Sequence, residues 1–305
     1  MRTLTIPSIF WCLWLVSATF GFFNAAHAQT FSFDNLTKAD GLTQNTITDI
    51  IEDERGFMWF ATANGLSRFD GYEFVNYQHN PNDVKSLPHD FMRTMLIDQE
   101  GALWIGTQNG LARYNPLSDD FTRYNQQNSS LNNNIINTLS LTNTGKLLVA
   151  NESTNDFTPV EVTSERLPAE IKSILAEDTF SIIGSYGHGI YLLDNESNTL
   201  HNLNAQNPLN ITIPAQYLFD VKHFGNSYWF ATELGAYMWD QDTKELLHFN
   251  GNSSPSLLGN EVRSIQQGND GDIWLGTSAG LTIVNKGFDS TKHIEFESGL
   301  SNLSP

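Results

Sequence analysis

The sequence predicts an all-β protein, a β-propeller built of four-stranded blades. Three observations carry this: a motif recurring at a fixed period, Asp- and Gly-containing turns at matching places in its copies, and no helical periodicity after the first thirty residues. The motif reads Gly56-Phe57-Met58-Trp59-Phe60-Ala61-Thr62-Ala63-Asn64-Gly65-Leu66, and 45 residues later Gly101-Ala102-Leu103-Trp104-Ile105-Gly106-Thr107-Gln108-Asn109-Gly110-Leu111. It returns around Trp229, from Tyr228 to Tyr237, and 45 residues after that tryptophan around Trp274, from Gly271 to Leu281.

Each unit parses into four strands. The first carries alternating aliphatics, such as Ile47, Ile50 and Ile51, or Val262 and Ile265. A turn follows (Asp53 to Gly56, Asp98 to Gly101, Asn269 to Gly271), then the Trp strand. Asn64-Gly65, Asn109-Gly110 and Ala279-Gly280 supply a residue able to take positive φ before the third strand. Phe74 to Tyr77, Phe121 to Tyr124 and Leu246 to Phe249 read as closing strands. Four short strands every 40 to 45 residues are the signature of a propeller blade.

Two central units depart from this pattern. The third opens with Leu131, Ile135 and Leu139, turns at Asn143-Thr144-Gly145 and has Leu148 where Trp would stand, with no Gly-Leu-x-Arg strand after it. It should be a shortened blade. The fourth opens near Ile171 and Ile174, keeps Ile182 to Tyr191, and closes with Leu200 to Leu203. At the ends, Phe31-Ser32-Phe33 matches a closing strand, and Gly299-Leu300-Ser301-Asn302 repeats the register of Gly41-Leu42-Thr43-Gln44. The expectation is therefore six recognisable blades plus the start of a seventh, a seven-bladed ring incomplete at the C-terminus, spanning residues 29–305.

Residues 1–28 read as a secretory signal peptide: Arg2, an uncharged apolar run, and Ala26-His27-Ala28 before Gln29. The alternative is an uncleaved membrane anchor, because the apolar run is near the lower length limit for a span. The single cysteine, Cys12, lies inside this segment, so no disulfide framework, thiolate zinc site or CxxC redox pair is available.

Composition narrows function further. With 34 acidic and 16 basic residues the net charge is −18, which repels a phosphate backbone and argues against nucleic acid as a partner. Charged residues are only 16% and hydrophobic ones 40%, too apolar for a disordered acidic tail.

The pattern W-[IFL]-[GA]-T-x-x-G-L-x-x-[YF]-[DN], preceded by L-x-x-N-x-[IV] and a [DN]-x-x-G turn, resembles the two-component regulator propeller repeat. The resemblance runs from Phe31 to Pro305, with four good copies and two poor ones. It implies the periplasmic sensor of a bacterial hybrid sensor histidine kinase or sensor diguanylate cyclase, membrane-anchored and dimeric in the whole receptor. It also implies an output domain outside this chain.

Candidate chemistry is sparse. Trp59, Trp104, Trp229 and Trp274 could form a sugar-stacking set, but second strands of successive blades make them packing residues. Thr62, Thr107, Thr232 and Thr277 should satisfy turn backbone. Asp40, Asp49, Asp53, Asp70 and Asp98 are read as turn residues. His188, between Gly187 and Gly189, is the one candidate ligand-binding residue, and a loop histidine is favoured over a metal ligand because no partner stands at ligand spacing. No catalytic residue, metal site or cofactor is expected.

Recognition is expected in the loops that differ between blades: Tyr77 to Leu87, Asn125 to Asn134, Asn151 to Pro168, Ser185 to Gly189 and Asn204 to Tyr217. Their polar, uncharged content suits a small neutral ligand such as an oligosaccharide better than an anion. The leading reading is a ligand-sensing, non-enzymatic propeller outside the cytoplasm. The alternatives are a secreted propeller enzyme acting on a polysaccharide, or a non-catalytic protein-interaction scaffold.

Overall fold

The computed structural model describes residues 35–151, 157–158, 171–197 and 199–295. They form six antiparallel sheets in which neighbouring strands are consecutive in the chain. The first holds β1 (Ile47–Glu52), β2 (Met58–Thr62), β3 (Gly65–Phe69) and β4 (Phe74–Tyr77). The second holds β5 (Met92–Ile97), β6 (Leu103–Thr107), β7 (Gly110–Asn115) and β8 (Asp120–Tyr124). The third has three strands, β9 (Ile136–Leu141), β10 (Leu147–Asn151) and β11 (Phe157–Thr158). The fourth comprises β12 (Ile171–Ala176), β13 (Phe180–Ser185), β14 (Ile190–Asp194) and β15 (Leu200–Asn202). The fifth is β16 (Leu218–Phe224), β17 (Ser227–Thr232), β18 (Gly235–Asp240) and β19 (Leu246–Phe249). The sixth is β20 (Val262–Gln267), β21 (Ile273–Thr277), β22 (Gly280–Val284) and β23 (Thr291–Glu295).

This is a propeller, with one correction to the expected blade count. Five described sheets have four strands and the third has only three, so the described residues make neither six complete blades nor seven. The shortfall falls in the third unit, whose sequence has no Gly-Leu-x-Arg strand and whose residues 152–156 and 159–170 lie outside the described residues. The segments assigned to a seventh blade, Phe31–Phe33 and 299–302, lie outside the described residues, as does the leader 1–28. Among the described residues no helix is long and apolar enough to cross a membrane.

The core lies between successive sheets. Trp59, Ala61 and Leu66 of the first sheet pack with Met92, Met95 and Ile105 of the second. Trp229 and Ala231 of the fifth pack with Val262, Ile265 and Leu275 of the sixth. The small residues Ala61, Gly106 and Ala231, two places after Trp59, Trp104 and Trp229, are what let the next blade approach. A Cβ on Gly106 would stand 2.7 Å from Ile136 Cγ2, well inside contact distance. The turn glycines answer a different need: Gly65 has φ +115°, and a Cβ there would meet the Tyr77 carbonyl at 2.8 Å.

Inner strands pack in chain order, β1 on β5, then β9, β12, β16 and β20. Among the described residues β20 and β1 do not pack in this way, so the ring is open between them. Burial agrees. The fourth residue of each inner strand faces the preceding blade, and Met95, Leu139, Ile174, Val221 and Ile265 are between 2% and 8% exposed. Ile50, at the same place in the first blade, is 50% exposed.

Candidate functional site

The antiparallel order places the connections between second and third strands, and those from one blade to the next, at one end of the ring, called here the upper face. Inner strands begin at that face. The inter-blade loops 78–91, 125–135, 203–217 and 250–261 and the short turn 186–189 all open there. Of the loops singled out from sequence, the segment 152–156 and 159–168 lies outside the described residues.

Beneath this face an axial cavity of about 620 Å³ runs along the inner strands. Its lining follows from a repeated irregularity. In β1, Ile47 pairs with Thr62 and Asp49 with Ala61, so Thr48 is opposite no residue. The same shift leaves Arg93 in β5 and Asn137 in β9 opposite no residue of the neighbouring strand. It does so again at Lys172 in β12, Phe219 in β16 and Arg263 in β20. A β-bulge inserts one residue without a ladder partner and redirects its side chain. All six bulged residues line the cavity. Apolar neighbours repeat at the first and fourth strand positions, whereas the bulged position is Thr, Arg, Asn, Lys, Phe and Arg in turn. Five residue types in six copies, from Thr to Phe to Arg, show that no common packing contact sets this position.

The cavity's charge is opposite to that of the chain. Arg93, Lys172, Lys222 and Arg263 line it, with Asp49 and Asp220 as its carboxylates. Both carboxylates are engaged in joining blades: Asp49 Oδ2 accepts from the Met95 N–H at 2.6 Å, and Asp220 Oδ2 from the Ile265 N–H at 3.0 Å. Asp220 also pairs with Lys222 at 3.3 Å. Asp49 is thus a strand residue and not the turn residue expected from sequence. Burial pushes its carboxyl above the ordinary carboxylate range, and the bond from Met95 offsets only part of that.

Arg93 Nη1 donates to Asn137 Oδ1 at 2.8 Å across the second and third blades. Arginine can only donate, so the Asn137 carbonyl must face it and its NH₂ must face away. That Nδ2 is buried with no hydrogen-bond partner, as is Arg93 Nε. Asn137 itself is only 8% exposed.

Beside the mouth, between the fourth and fifth blades, lies an aromatic ladder. Tyr186 meets Tyr217 edge-on at 4.8 Å, and Tyr217 stacks on Phe219 at 6.1 Å and 12°. Tyr186 is 51% exposed. Lys172 Nζ lies 5.5 Å from the Tyr186 ring and the Arg263 guanidinium 5.2 Å from that of Phe219.

The residues proposed from sequence fall elsewhere. Trp59 and Trp229 are buried at 0% and 1% exposure, and Trp59 Nε1 donates to Asp53 Oδ2 at 3.0 Å. Trp104 Nε1 donates likewise to Asp98 at 2.7 Å. Thr62, Thr107, Thr232 and Thr277 each donate to the carbonyl of the glycine three residues on, at 2.7–2.8 Å. His188 is exposed on the upper face, outside the cavity, with its carbonyl accepting from Tyr191 at 2.9 Å. Among the described residues no group of three or more His, Cys, Asp or Glu is placed to hold a metal ion.

Three stretches, 41–64, 86–109 and 256–279, match the family model described as the two component regulator propeller. A stretch of 62 residues is 40% identical to histidine kinase P4 of Formosa agariphila, covering 20% of this chain and 4% of that protein. The fold is similar to the extracellular domain of the putative hybrid two component system BT3049 from B. thetaiotaomicron, with TM-score 0.70 and 21% identity over 87% of this chain and 37% of that one. It also resembles PorZ of Porphyromonas gingivalis, a surface component of the type-IX secretion system (TM-score 0.57, 18% identity, 78% and 38% of the two chains). A third likeness is virginiamycin B lyase of Staphylococcus aureus, at TM-score 0.62 and 14% identity over 87% of each chain. At these identities the structural likenesses speak for the fold. Three stretches of the chain are thus similar to two-component regulator propeller repeats, and the chain spans well under half the length of the regulatory relatives it matches.

Proposed function

We propose that this chain is the ligand-sensing propeller of a bacterial signalling receptor, working outside the cytoplasm. On this reading its output domain, a histidine kinase or a diguanylate cyclase, lies elsewhere in a longer protein. The observation that carries the reading is the ring of six bulged residues around the axial cavity, on a scaffold of regulator-propeller repeats. Each bulge frees one side chain per blade from packing, and recognition needs such freedom at the mouth of a concave site. The ligand class that fits first is a small oligosaccharide. Exposed Tyr186 and the ladder beneath it offer the flat, amphipathic surface on which a sugar ring rests.

Calorimetric titration of the chain with an oligosaccharide panel, with product analysis alongside, tests this. Saturable binding without conversion is the expected result. Turnover of a bound sugar would replace the sensor with an enzyme, and exclusive capture of a protein would replace it with a scaffold. Intact-mass measurement on the exported protein tests the location: the mature chain should begin at Gln29.

A further inference from the structure

We infer that the mouth of the axial cavity holds the acidic group of an anionic saccharide, with Arg93 and Asn137 as its principal donors. The inference rests on the reading of that mouth as the ligand site. Four cations against two carboxylates line the cavity of a chain whose net charge is −18. Both carboxylates already accept backbone N–H groups of the next blade, Asp220 also holds Lys222, and Arg263 pairs with Glu261, so among the described residues Arg93 is the cation whose only ion or hydrogen-bond partner across the cavity is the neutral Asn137. Cationic side chains around a concave, low-dielectric site focus field and attract anions even on an acidic protein.

The donor geometry is more specific than the charge. Asn137 is more than nine-tenths buried, its carbonyl is held by Arg93, and its NH₂ is therefore aimed away with no acceptor. Arg93 Nε is in the same condition. A buried donor without an acceptor costs about 1–3 kcal/mol. Two such donors, from adjacent blades and on bulged residues of one cavity, are what a carboxylate or sulfate with several lone pairs would satisfy. Lys172 and Arg263, over Tyr186 and Phe219, put positive charge beside the aromatic ladder. Ring surface and cation side by side match a sugar that carries an acidic substituent.

The test titrates the full chain with trigalacturonate, galactotriose, a sulfated galactose disaccharide and inorganic sulfate, at 50 and 300 mM salt. At least one acidic sugar should bind tenfold or more tightly than galactotriose, and should weaken several-fold at the higher salt. The carboxylated and sulfated sugars separate the two sources of anion, and inorganic sulfate reports the contribution of the charge alone. Arg93→Gln should cut acidic-sugar binding at least tenfold. Asn137→Asp is the sharper variant, because it keeps the volume and can still pair with Arg93, so the fold persists while the anion is repelled. Equal binding of galactotriose, unchanged acidic-sugar binding in both variants, or no acidic-sugar binding would overturn the inference. Galactotriose binding that ignores both substitutions would leave the sensor reading intact. Chemical conversion of an acidic sugar bound through Arg93 would leave the site and remove the sensor.

Discussion

The first two blades and the third make the same turn with different chemistry. In all three the first residue of the turn accepts, through its carbonyl, the N–H of the residue three places on: Gly56 to Asp53, Gly101 to Asp98, Gly145 to Thr142. In all three its side chain also accepts a backbone N–H four residues on, at 2.9–3.1 Å. There the likeness ends. Asp53 and Asp98 have a second oxygen, which receives the indole N–H of Trp59 or Trp104. Thr142 has none to spare, and Leu148 has no donor to offer. In these three blades aspartate and tryptophan occur together or not at all, whereas Trp229 and Trp274 have His223 and Gly268 at the place of the aspartate. The inner strand β9 is nevertheless among the most buried, packed against β5 and β12. Inner strands carry the ring, and in the first two blades the indole latch ties the second strand to the turn before it.

The largest test of that division is Trp59→Ala, which removes a fully buried indole and should cost about 3–5 kcal/mol in urea unfolding. Leu148→Ala, at 2% exposure in the third blade, should cost about 2–4 kcal/mol. A loss at Leu148 matching that at Trp59 would mean that the third blade depends on its outer half as heavily as the first.

A double-mutant cycle isolates the latch. Asp98→Ala with Trp104→Phe should show a coupling of about 1.5 kcal/mol, the range for hydrogen bonds to charged groups. Thr142→Ala with Leu148→Ala should couple by less than about 0.5 kcal/mol. Comparable values in the two blades would dissolve the distinction.

Acid sharpens the comparison. At Asp53 and Asp98 burial favours the neutral carboxyl, but the bonds from the indole and backbone N–H groups, with Arg55 beside Asp53, outweigh it and hold both below the ordinary range. A depressed folded pKa contributes stability that is complete above the unfolded value, about 3.9, and is lost as pH falls through the lower folded value. Between pH 4.5 and 2.5 the first two blades should therefore lose hydrogen-exchange protection in excess of the third. Uniform loss across all three would place the acid sensitivity elsewhere.

The smallest effect belongs at the open edge. Ile50→Ala should change stability by less than about 0.5 kcal/mol, since half of that side chain is exposed, while Met95→Ala in the next blade should cost about 2–4 kcal/mol. A large effect at Ile50 would show that its face is covered in solution.

The propeller was legible because each blade must repeat the same packing: the tryptophan, the small residue after it and the turn glycine are dictated by neighbours of identical shape. The missing Gly-Leu-x-Arg strand after Leu148 is what marks the third blade as shortened. The cavity ring was not legible. A β-bulge is a mismatch between two strands, and no residue type marks it, so Arg93 and Asn137 look like ordinary polar residues of an alternating strand. Aligning the six inner strands shows only that the second position varies while the first and fourth stay apolar. A net charge summed over 305 residues likewise does not show that four cations line one cavity. Asp49 was read as turn chemistry because its role, a bond to Met95 in the next blade, depends on a residue 46 positions away. His188 drew notice for its flanking glycines, which serve the turn backbone at φ +81° and +94°.

The bulge has a consequence for redesign. A ladder residue cannot be exchanged without regard to its cross-strand partner, but the six ring positions have none, so each can be rewritten independently of register. With twenty choices at each of six sites, the ring is a combinatorial library of about 10⁷–10⁸ linings on one unaltered framework. A display screen randomising Thr48, Arg93, Asn137, Lys172, Phe219 and Arg263, with Arg93 and Asn137 varied as a pair because they bond across two blades, would explore ligand preference while leaving the ladder register unaltered.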